Sequence, residues 1–301
     1  MSRRPPPRKP VRLSRKEAAG TALRRHLAEQ RTVVLQNERK ALDGSVEALH
    51  DIRVALRRIR SLAATFAKLD EDFLDALDRR ISKVCDRMGE ARDMDVWIEL
   101  FRDLLRAGGL GEIPPRDRRA VLSMLNRQRT HLATDALTCG LFRRVKRMLG
   151  ESLRRGHPRG RKKAVAAHVF AARRMLVVRE LIEERHRRVG NYSKGPAHDL
   201  RRAGRRMRYL SEFFAEGLGS ASVRAGRWIT KAQAALGKVH DCDSALELSK
   251  DLPSGVARAQ VRRALKKRRA AQLKKFKSAW RRYADRRLQK AWLSQLEAAA
   301  E

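Results

Sequence analysis

The most constraining feature of this sequence is an eleven-residue helical pattern that occurs twice. HDIRVALRRIR at 50–60 is matched by HDLRRAGRRMR at 198–208, an offset of 148 residues. A histidine and three arginines occupy the same four places in both copies. At about 100° per residue these four fall within about 80° of one another, opposite the apolar positions. The first arginine row is His50, Arg53, Arg57 and Arg60, and the second arginine row is His198, Arg201, Arg205 and Arg208.

A second match has the same offset. GEARDMD at 89–95 aligns without a gap on GKVHDCD at 237–243, so that the glycine and both aspartates coincide. Two coincidences in one register predict an internal duplication. Each copy would pair one helix that has an apolar and a cationic face with one Gly-x-x-[Arg/His]-Asp-x-Asp segment.

The charge balance indicates the kind of partner. The chain has 301 residues, with 71 Lys and Arg against 34 Asp and Glu, giving a formal charge of +37. A compact protein with that charge repels itself, so a polyanionic partner is expected. The three cysteines are far apart and odd in number, which favours a reducing compartment. Since no apolar run approaches a membrane span and the N-terminal arm lacks a signal-peptide core, we expect a cytoplasmic protein without membrane partners.

Helical periodicity without alternating β-branched runs predicts an all-α fold. Residues 1–13 are expected to be a disordered basic arm, and 150–163 a basic linker between repeat one (14–149) and repeat two (164–296). Ser45 is predicted to cap the first row's helix, and Gly195-Pro196 to start the second. At Gly89 the helix that begins at 71 either bends or ends. Asp93 or Asp95 would cap the helix that follows. Other helices are predicted at 13–41, 71–88, 116–149, 164–189, 220–239, 241–250 and 253–296.

These duplicated elements resemble the CHAD family, the conserved histidine α-helical domain. The likeness extends over 14–296. It implies two pseudosymmetric four-helix bundles around a basic central channel, with inorganic polyphosphate as the ligand and association with polyphosphate-rich bodies. It implies no catalytic activity and no cofactor. The triphosphatase signature Glu-x-Glu-x-Lys of some family members is absent, so an enzymatic half is not expected. Oligomeric state stays open.

By position, the resemblance implies that both arginine rows line the channel. Arg58 and Arg206, beside the rows, and Arg92 and His240, in the following segments, are further candidates. Arginines three and four apart rise about 4.5–6 Å per step, so successive guanidiniums can meet successive phosphates. The planar guanidinium also grips two phosphate oxygens at once. The row histidines either add contacts that strengthen as pH falls or simply cap and pack their helices.

Several alternatives compete with this interpretation. Asp93, Asp95, Asp241 and Asp243 could suggest a metal site, but two carboxylates per copy make a thin cation shell. We expect them instead to cap helices or to hold the channel arginines in place. The His-Asp pairs at 50–51, 198–199 and 240–241 allow a metal-dependent phosphohydrolase, although arginines around them would oppose a divalent cation. Non-specific nucleic-acid binding at low salt is the stronger rival. A granule coat would need an exposed apolar face. The runs at 262–263 and 266–269 are expected to be solvated.

Overall fold

The computed structural model describes residues 17–106, 114–154, 165–251 and 256–301. Within these ranges the chain forms ten α-helices and no strand, which confirms the predicted all-α fold. None of the described helices is long and apolar enough to cross a bilayer. The helices are α1 (Ala19–Leu42), α2 (Val46–Thr65), α3 (Glu71–Arg106), α4 (Pro115–Thr138), α5 (Gly140–Arg154), α6 (Ala167–Arg187), α7 (Lys194–Leu218), α8 (Ser220–Leu248), α9 (Val256–Tyr283) and α10 (Arg286–Ala300).

The helices fall into a first half, α1–α5, and a second half, α6–α10, in the same order. Helices α6 and α7 begin 148 residues after α1 and α2. Each half has five helices because the long last helix predicted for it, 116–149 or 253–296, is divided in two. Cys139, with an extended backbone, separates α4 from α5. Asp285 caps α10 by accepting a hydrogen bond from the Leu288 amide at 2.9 Å.

The boundary predicted between 239 and 241 is wrong, because α8 runs unbroken through it. Of the two alternatives left open at Gly89, a break does not occur, since α3 also runs unbroken there. Asp93 and Asp95 therefore lie inside a helix and cap nothing. A glycine within a helix costs only about 1 kcal/mol. The burial of apolar side chains on both sides of Gly89, such as Val84 and Trp97, outweighs that cost.

The helices that bear the arginine rows begin where the sequence predicts. The Ser45 hydroxyl accepts a hydrogen bond from the Ala48 amide at 3.1 Å at the start of α2. Pro196 lies in the first turn of α7, where its missing amide proton costs nothing. The predicted arm at 1–13 lies outside the described residues. Of the predicted linker at 150–163, residues 150–154 complete α5 and the rest lie outside the described ranges.

The two halves meet through positions that are 148 residues apart. Ala18 and Ala166 form an isolated antiparallel bridge. The bridge has two hydrogen bonds, one from the Ala19 amide to the Val165 carbonyl and one from the Ala167 amide to the Glu17 carbonyl. The two amides are 148 residues apart in the sequence, and so are the two carbonyls, so the bonds are equivalent. The rings of Phe66 and Phe214 lie 5.9 Å apart, centre to centre. An approximate two-fold relation between the halves produces such contacts between equivalent positions.

One large apolar core joins both halves, with buried side chains from all ten helices. A second, smaller cluster lies where the C-terminal ends of α3 and α8 pack with α4 and α9. Trp97 and Phe101 supply its largest side chains. Because both long helices are fixed in two clusters, the segments 89–95 and 237–243 between them are held rigidly beside α2 and α7.

Candidate polyanion-binding site

Helices α2 and α7 contact each other at the junction of the two halves. Their apolar faces are buried as predicted, with Ile52, Leu56 and Ile59 fully covered in α2. Arg53 is itself only 5% exposed. The cationic faces of the two helices are therefore not spread over free surface, but partly enclosed by neighbouring helices.

Four row arginines influence one another across the junction: Arg53, Arg57, Arg201 and Arg205, which we call the arginine quartet. Burial, followed by the positive charges of Arg57 and Arg201, lowers the pKa of Arg205 to about 8. Burial and then Arg57 lower the pKa of Arg53 to about 10. Burial also lowers the pKa of Arg201, with Asp241 opposing and Arg57 adding to the effect. Each member thus acts electrostatically on at least one member from the other helix, or is acted on by it, so the quartet is a single cationic cluster.

The quartet has no carboxylate in direct contact among the described residues. Within the described ranges, none of its members has a carboxylate oxygen within the 4.0 Å of an ion pair. Arg53 donates a hydrogen bond to the Cys85 carbonyl at 3.4 Å, and the Nε of Arg201 is buried without an acceptor. Buried charges are costly unless they are paired. An anion that enters here would supply the missing partner.

The C-terminal end of each row is different because its arginine is already paired. Arg60 donates to Asp78 at 2.7 Å, and Arg208 lies 3.5 Å from Glu212 and over the Tyr209 ring. Arg58, placed beside the first row by the sequence, crosses the junction to Glu212 at 2.8 Å. Arg206 is exposed on α7. The structure thus brings the middle arginines of the two rows together. The arginines at the C-terminal ends of the rows instead form ion pairs with Asp78 and Glu212.

Both segment glycines lie directly beneath a quartet arginine. A Cβ built on Gly89 would lie 3.6 Å from Nη1 of Arg53, and one on Gly237 would lie 3.9 Å from Nε of Arg201. These are ordinary van der Waals distances, so a methyl group would fit at either position and only larger side chains would compete with the guanidiniums for space. The sequence shows that the glycines recur, but not that each lies next to an arginine of the adjacent helix.

The segment aspartates surround the quartet without capping any helix. Asp93 acts electrostatically on Arg53 and on Arg201 across the junction, while Asp241 acts on Arg201. Burial raises the pKa of both carboxyls against the opposing effect of the arginines. The other two aspartates hold arginines that lie outside the two rows. Asp95 binds Arg129 of α4 at 2.9 Å, and Asp243 binds Arg269 of α9 at 2.7 Å.

Two of the candidate histidines meet at one edge of the quartet. The rings of His198 and His240 lie 5.0 Å apart. Burial, then Arg201, His198, Arg205 and finally Lys194, lower the pKa of His240 to about 3. Burial and neighbouring arginines also lower the pKa of His198. Both rings are therefore uncharged at neutral pH while no anion is bound.

The first half is built differently at this place. His50 is half-buried on α2, and Arg92 occupies the position equivalent to His240. Arg92 lies 3.8 Å from Asp95. Among the residues the structure describes, no cluster of three or more His, Cys, Asp or Glu side chains is placed to hold a metal ion.

Comparison with protein families identifies the fold. The family model for the CHAD domain matches residues 25–250, three quarters of the sequence. The chain belongs to the CHAD family. This confirms the family named from the two duplicated elements, although the matched range is shorter than the 14–296 expected.

Solved structures agree with the CHAD fold over a wider range. The crystal structure of the CHAD domain from the plant Ricinus communis is similar with a TM-score of 0.64 and 24% identity, covering 99% of this chain and 98% of that one. PptA from Streptomyces chartreusis gives a TM-score of 0.63 and 19% identity, covering 88% of this chain and 100% of its own. No curated protein matches the sequence. At these identities the structural likeness shows the fold alone.

Proposed function

We propose that this CHAD protein binds inorganic polyphosphate at the arginine quartet and catalyses no reaction on it. The observation that carries the proposal is the enclosure of four mutually repelling guanidiniums without a carboxylate partner. A ligand that brings several negative charges in a row relieves this repulsion at every arginine it contacts. Association with polyphosphate-rich bodies in the cell follows as a consequence of this binding.

The chemistry of the site suits a bare chain of phosphates. Arginine forms paired hydrogen bonds to phosphate oxygens. Each charge-assisted bond contributes about 1.5–3 kcal/mol. The quartet's positions on α2 and α7 give two pairs of guanidiniums, each one helical turn apart, that face each other across the junction. Polyphosphate carries nothing except phosphates, so it needs no further recognition element.

Nucleic acid is the rival ligand, since a net charge of +37 attracts any polyanion. Readout of single-stranded bases relies on exposed aromatic platforms. Aromatic residues are only 5% of the chain, and of its four tryptophans Trp97 and Trp292 are buried while Trp228 and Trp280 are partly buried. The site therefore favours phosphate chains over bases.

A competition titration tests the proposal. Long-chain polyphosphate and duplex DNA, each labelled in turn, are titrated against the protein between about 50 and 200 mM salt. We expect polyphosphate to displace DNA at far lower phosphate-equivalent concentration than the reverse at the upper end of this range. Equal displacement in both directions, or preferential retention of DNA, would remove the proposal. Absence of phosphate release with added Mn²⁺ checks the non-catalytic part.

Proton uptake should accompany binding. Phosphates at Arg201 and Arg205 would raise the pKa values of His198 and His240, which the free protein holds low. When the bound state takes up protons, affinity increases as pH falls below the raised pKa values. If His240 returns to its ordinary pKa of about 6.5, affinity for polyphosphate should rise about tenfold from pH 7.5 to 5.5. Titration calorimetry in two buffers of different ionisation enthalpy measures the uptake.

The control for this prediction replaces the two imidazole rings and keeps their charged neighbours, because the arginines among those neighbours would also bind the ligand. His198→Gln with His240→Gln keeps the neighbouring side chains and should remove most of the uptake below pH 7. An unchanged pH dependence in this double variant would assign the uptake to other groups at the site, such as Arg205 or the carboxyls of Asp93 and Asp241. The charged neighbours are Lys194, Asp199, Arg201, Arg202 and Arg205.

A further inference from the structure

Helix α9 has an unusual charge distribution. Its 28 residues include twelve lysines and arginines and no aspartate or glutamate. Helix α4, which holds the corresponding place in the first half, has five arginines and two aspartates in 24 residues. Both helices pack on a long helix of their own half. Since the fold makes similar demands on both, it does not account for the excess charge of α9.

Nine of the twelve cations of α9 form two sets that differ in what they contact, and Arg258, Lys275 and Arg282 belong to neither. The inward set anchors the helix to the rest of the protein. Arg262 donates to the Leu246 carbonyl at 2.9 Å, Arg268 to Asp103 at 3.2 Å and Arg269 to Asp243 at 2.7 Å. The sequence expectation that 262–263 and 266–269 are simply solvated is therefore wrong for these three arginines.

The outward set forms the surface that we call the basic stripe. Its members are exposed and lie within about 100° of one another on the helix, opposite the buried face of Leu265 and Phe276. At 1.5 Å per residue the stripe is about 27 Å long. Within the described ranges, none of its members forms an ion pair with a carboxylate. The basic stripe consists of Arg263, Lys266, Lys267, Lys274, Lys277 and Arg281.

This arrangement costs stability in the absence of a ligand. Like charges four residues apart, such as Arg263 with Lys267 and Lys277 with Arg281, repel each other on a helix surface. A straight row of unpaired cations on a solvent-facing helix is complementary to an extended polyanion. Binding of such a chain would offset the repulsion along the whole row.

A short series of contacts also links the basic stripe to the quartet. Lys277 of the basic stripe lies over the ring of Tyr192, 5.3 Å from its centre, and Tyr192 is two residues before Lys194 at the start of α7. Lys194, like Arg201 and Arg205, acts electrostatically on His240. A phosphate chain that leaves the quartet at its histidine edge thus meets α9 next.

We propose that the basic stripe of α9 is a second binding lane for polyphosphate, occupied by the part of a long chain that extends beyond the arginine quartet. This inference rests on the proposed function and adds a ligand class to it, since it makes the protein selective for long chains. Tripolyphosphate would occupy the quartet alone. Chains tens of phosphates long would occupy both.

The test compares two variants with equal loss of charge. The stripe variant carries Arg263→Gln, Lys267→Gln, Lys274→Gln and Arg281→Gln. The scattered variant carries Lys40→Gln, Arg79→Gln, Arg127→Gln and Arg144→Gln, four exposed cations from four other helices. Affinities for tripolyphosphate, long-chain polyphosphate and duplex DNA are measured across salt concentration. Removing like-charge repulsion should leave the Tm of the stripe variant equal to or above that of the unmodified protein.

We expect the stripe variant to bind long chains about tenfold more weakly and to lower the slope of log affinity against log salt by about 3, at ~0.7 for each lost phosphate contact. Its affinity for tripolyphosphate should not change, and the scattered variant should show a much smaller effect. Equal effects of both variants on long chains, or a loss confined to duplex DNA, would overturn the inference. If the stripe variant fails to fold, Lys274→Gln with Arg281→Gln should show half the change in slope.

The outcomes separate this inference from the proposed function. If the unmodified protein binds neither tripolyphosphate nor long chains, the proposed function fails and the second lane fails with it. If both ligands bind and depend on the quartet while the stripe variant behaves like the scattered one, only the second lane is lost.

Discussion

Replacing the whole arginine quartet by alanine should abolish polyphosphate binding while leaving the helix content unchanged. Four charge-assisted contacts at about 1.5–3 kcal/mol each correspond to a loss of affinity of at least ~1,000-fold. The fold should persist because the quartet contributes repulsion to the empty protein and its face lies opposite the apolar core. Titration with long-chain polyphosphate and circular dichroism measure the two effects. The variant is Arg53→Ala, Arg57→Ala, Arg201→Ala and Arg205→Ala.

The control for this variant removes the same charge elsewhere. The scattered variant described above should lose little affinity, because its cations lie outside the junction. If quartet and scattered variants bind equally well, the quartet is not the site. If the alanine variant unfolds because Arg53 leaves a cavity, glutamine at the same four positions keeps most of the volume and tests binding alone.

The ion pair of Asp95 with Arg129 should have the largest effect on stability. Both side chains are almost completely buried, at 1% and 6% exposure. Removing one partner leaves an uncompensated charge in the interior, which costs about 3–5 kcal/mol. We therefore expect Asp95→Ala to lower the free energy of unfolding by that amount in chemical denaturation. Polyphosphate binding by the fraction that remains folded should be retained.

Two comparisons make this expectation specific. Asp95→Leu with Arg129→Met removes both charges and should restore most of the lost stability, since an apolar pair tolerates the same burial. Asp243→Ala breaks the equivalent pair with Arg269, which is more exposed at 11% and 21%, and should cost clearly less. Equal losses for both alanine variants would show that burial does not set the value of these pairs.

The sequence alone predicts the parts of this protein that depend on local chemistry. Ser45 and Pro196 mark the starts of α2 and α7 because capping and proline geometry act within one helical turn. The alternation of apolar and cationic positions places Arg53 and Arg57 on one face without knowledge of neighbouring helices. The quartet could therefore be located as candidate residues before the fold was known.

The errors arise where distant contacts decide. Gly89 could not be identified as the middle of a long helix, because the burial that holds α3 straight comes from α4 and α9. Nor could the pattern show that Arg60 is bound to Asp78 while Arg57 has no such partner. Spacing places a side chain on a face. Whether an acid from another helix reaches it depends on packing.

The bridge between Ala18 and Ala166 has a consequence for how such a chain can arise. Its two hydrogen bonds are interchangeable, so two separate copies of one half would satisfy the same backbone groups on meeting. A homodimer of a half-length ancestor could close in the same way, and gene fusion would then only have made the association permanent. On such an origin, Arg92 and His240, which occupy equivalent positions in the two halves, would mark one place where the halves have diverged.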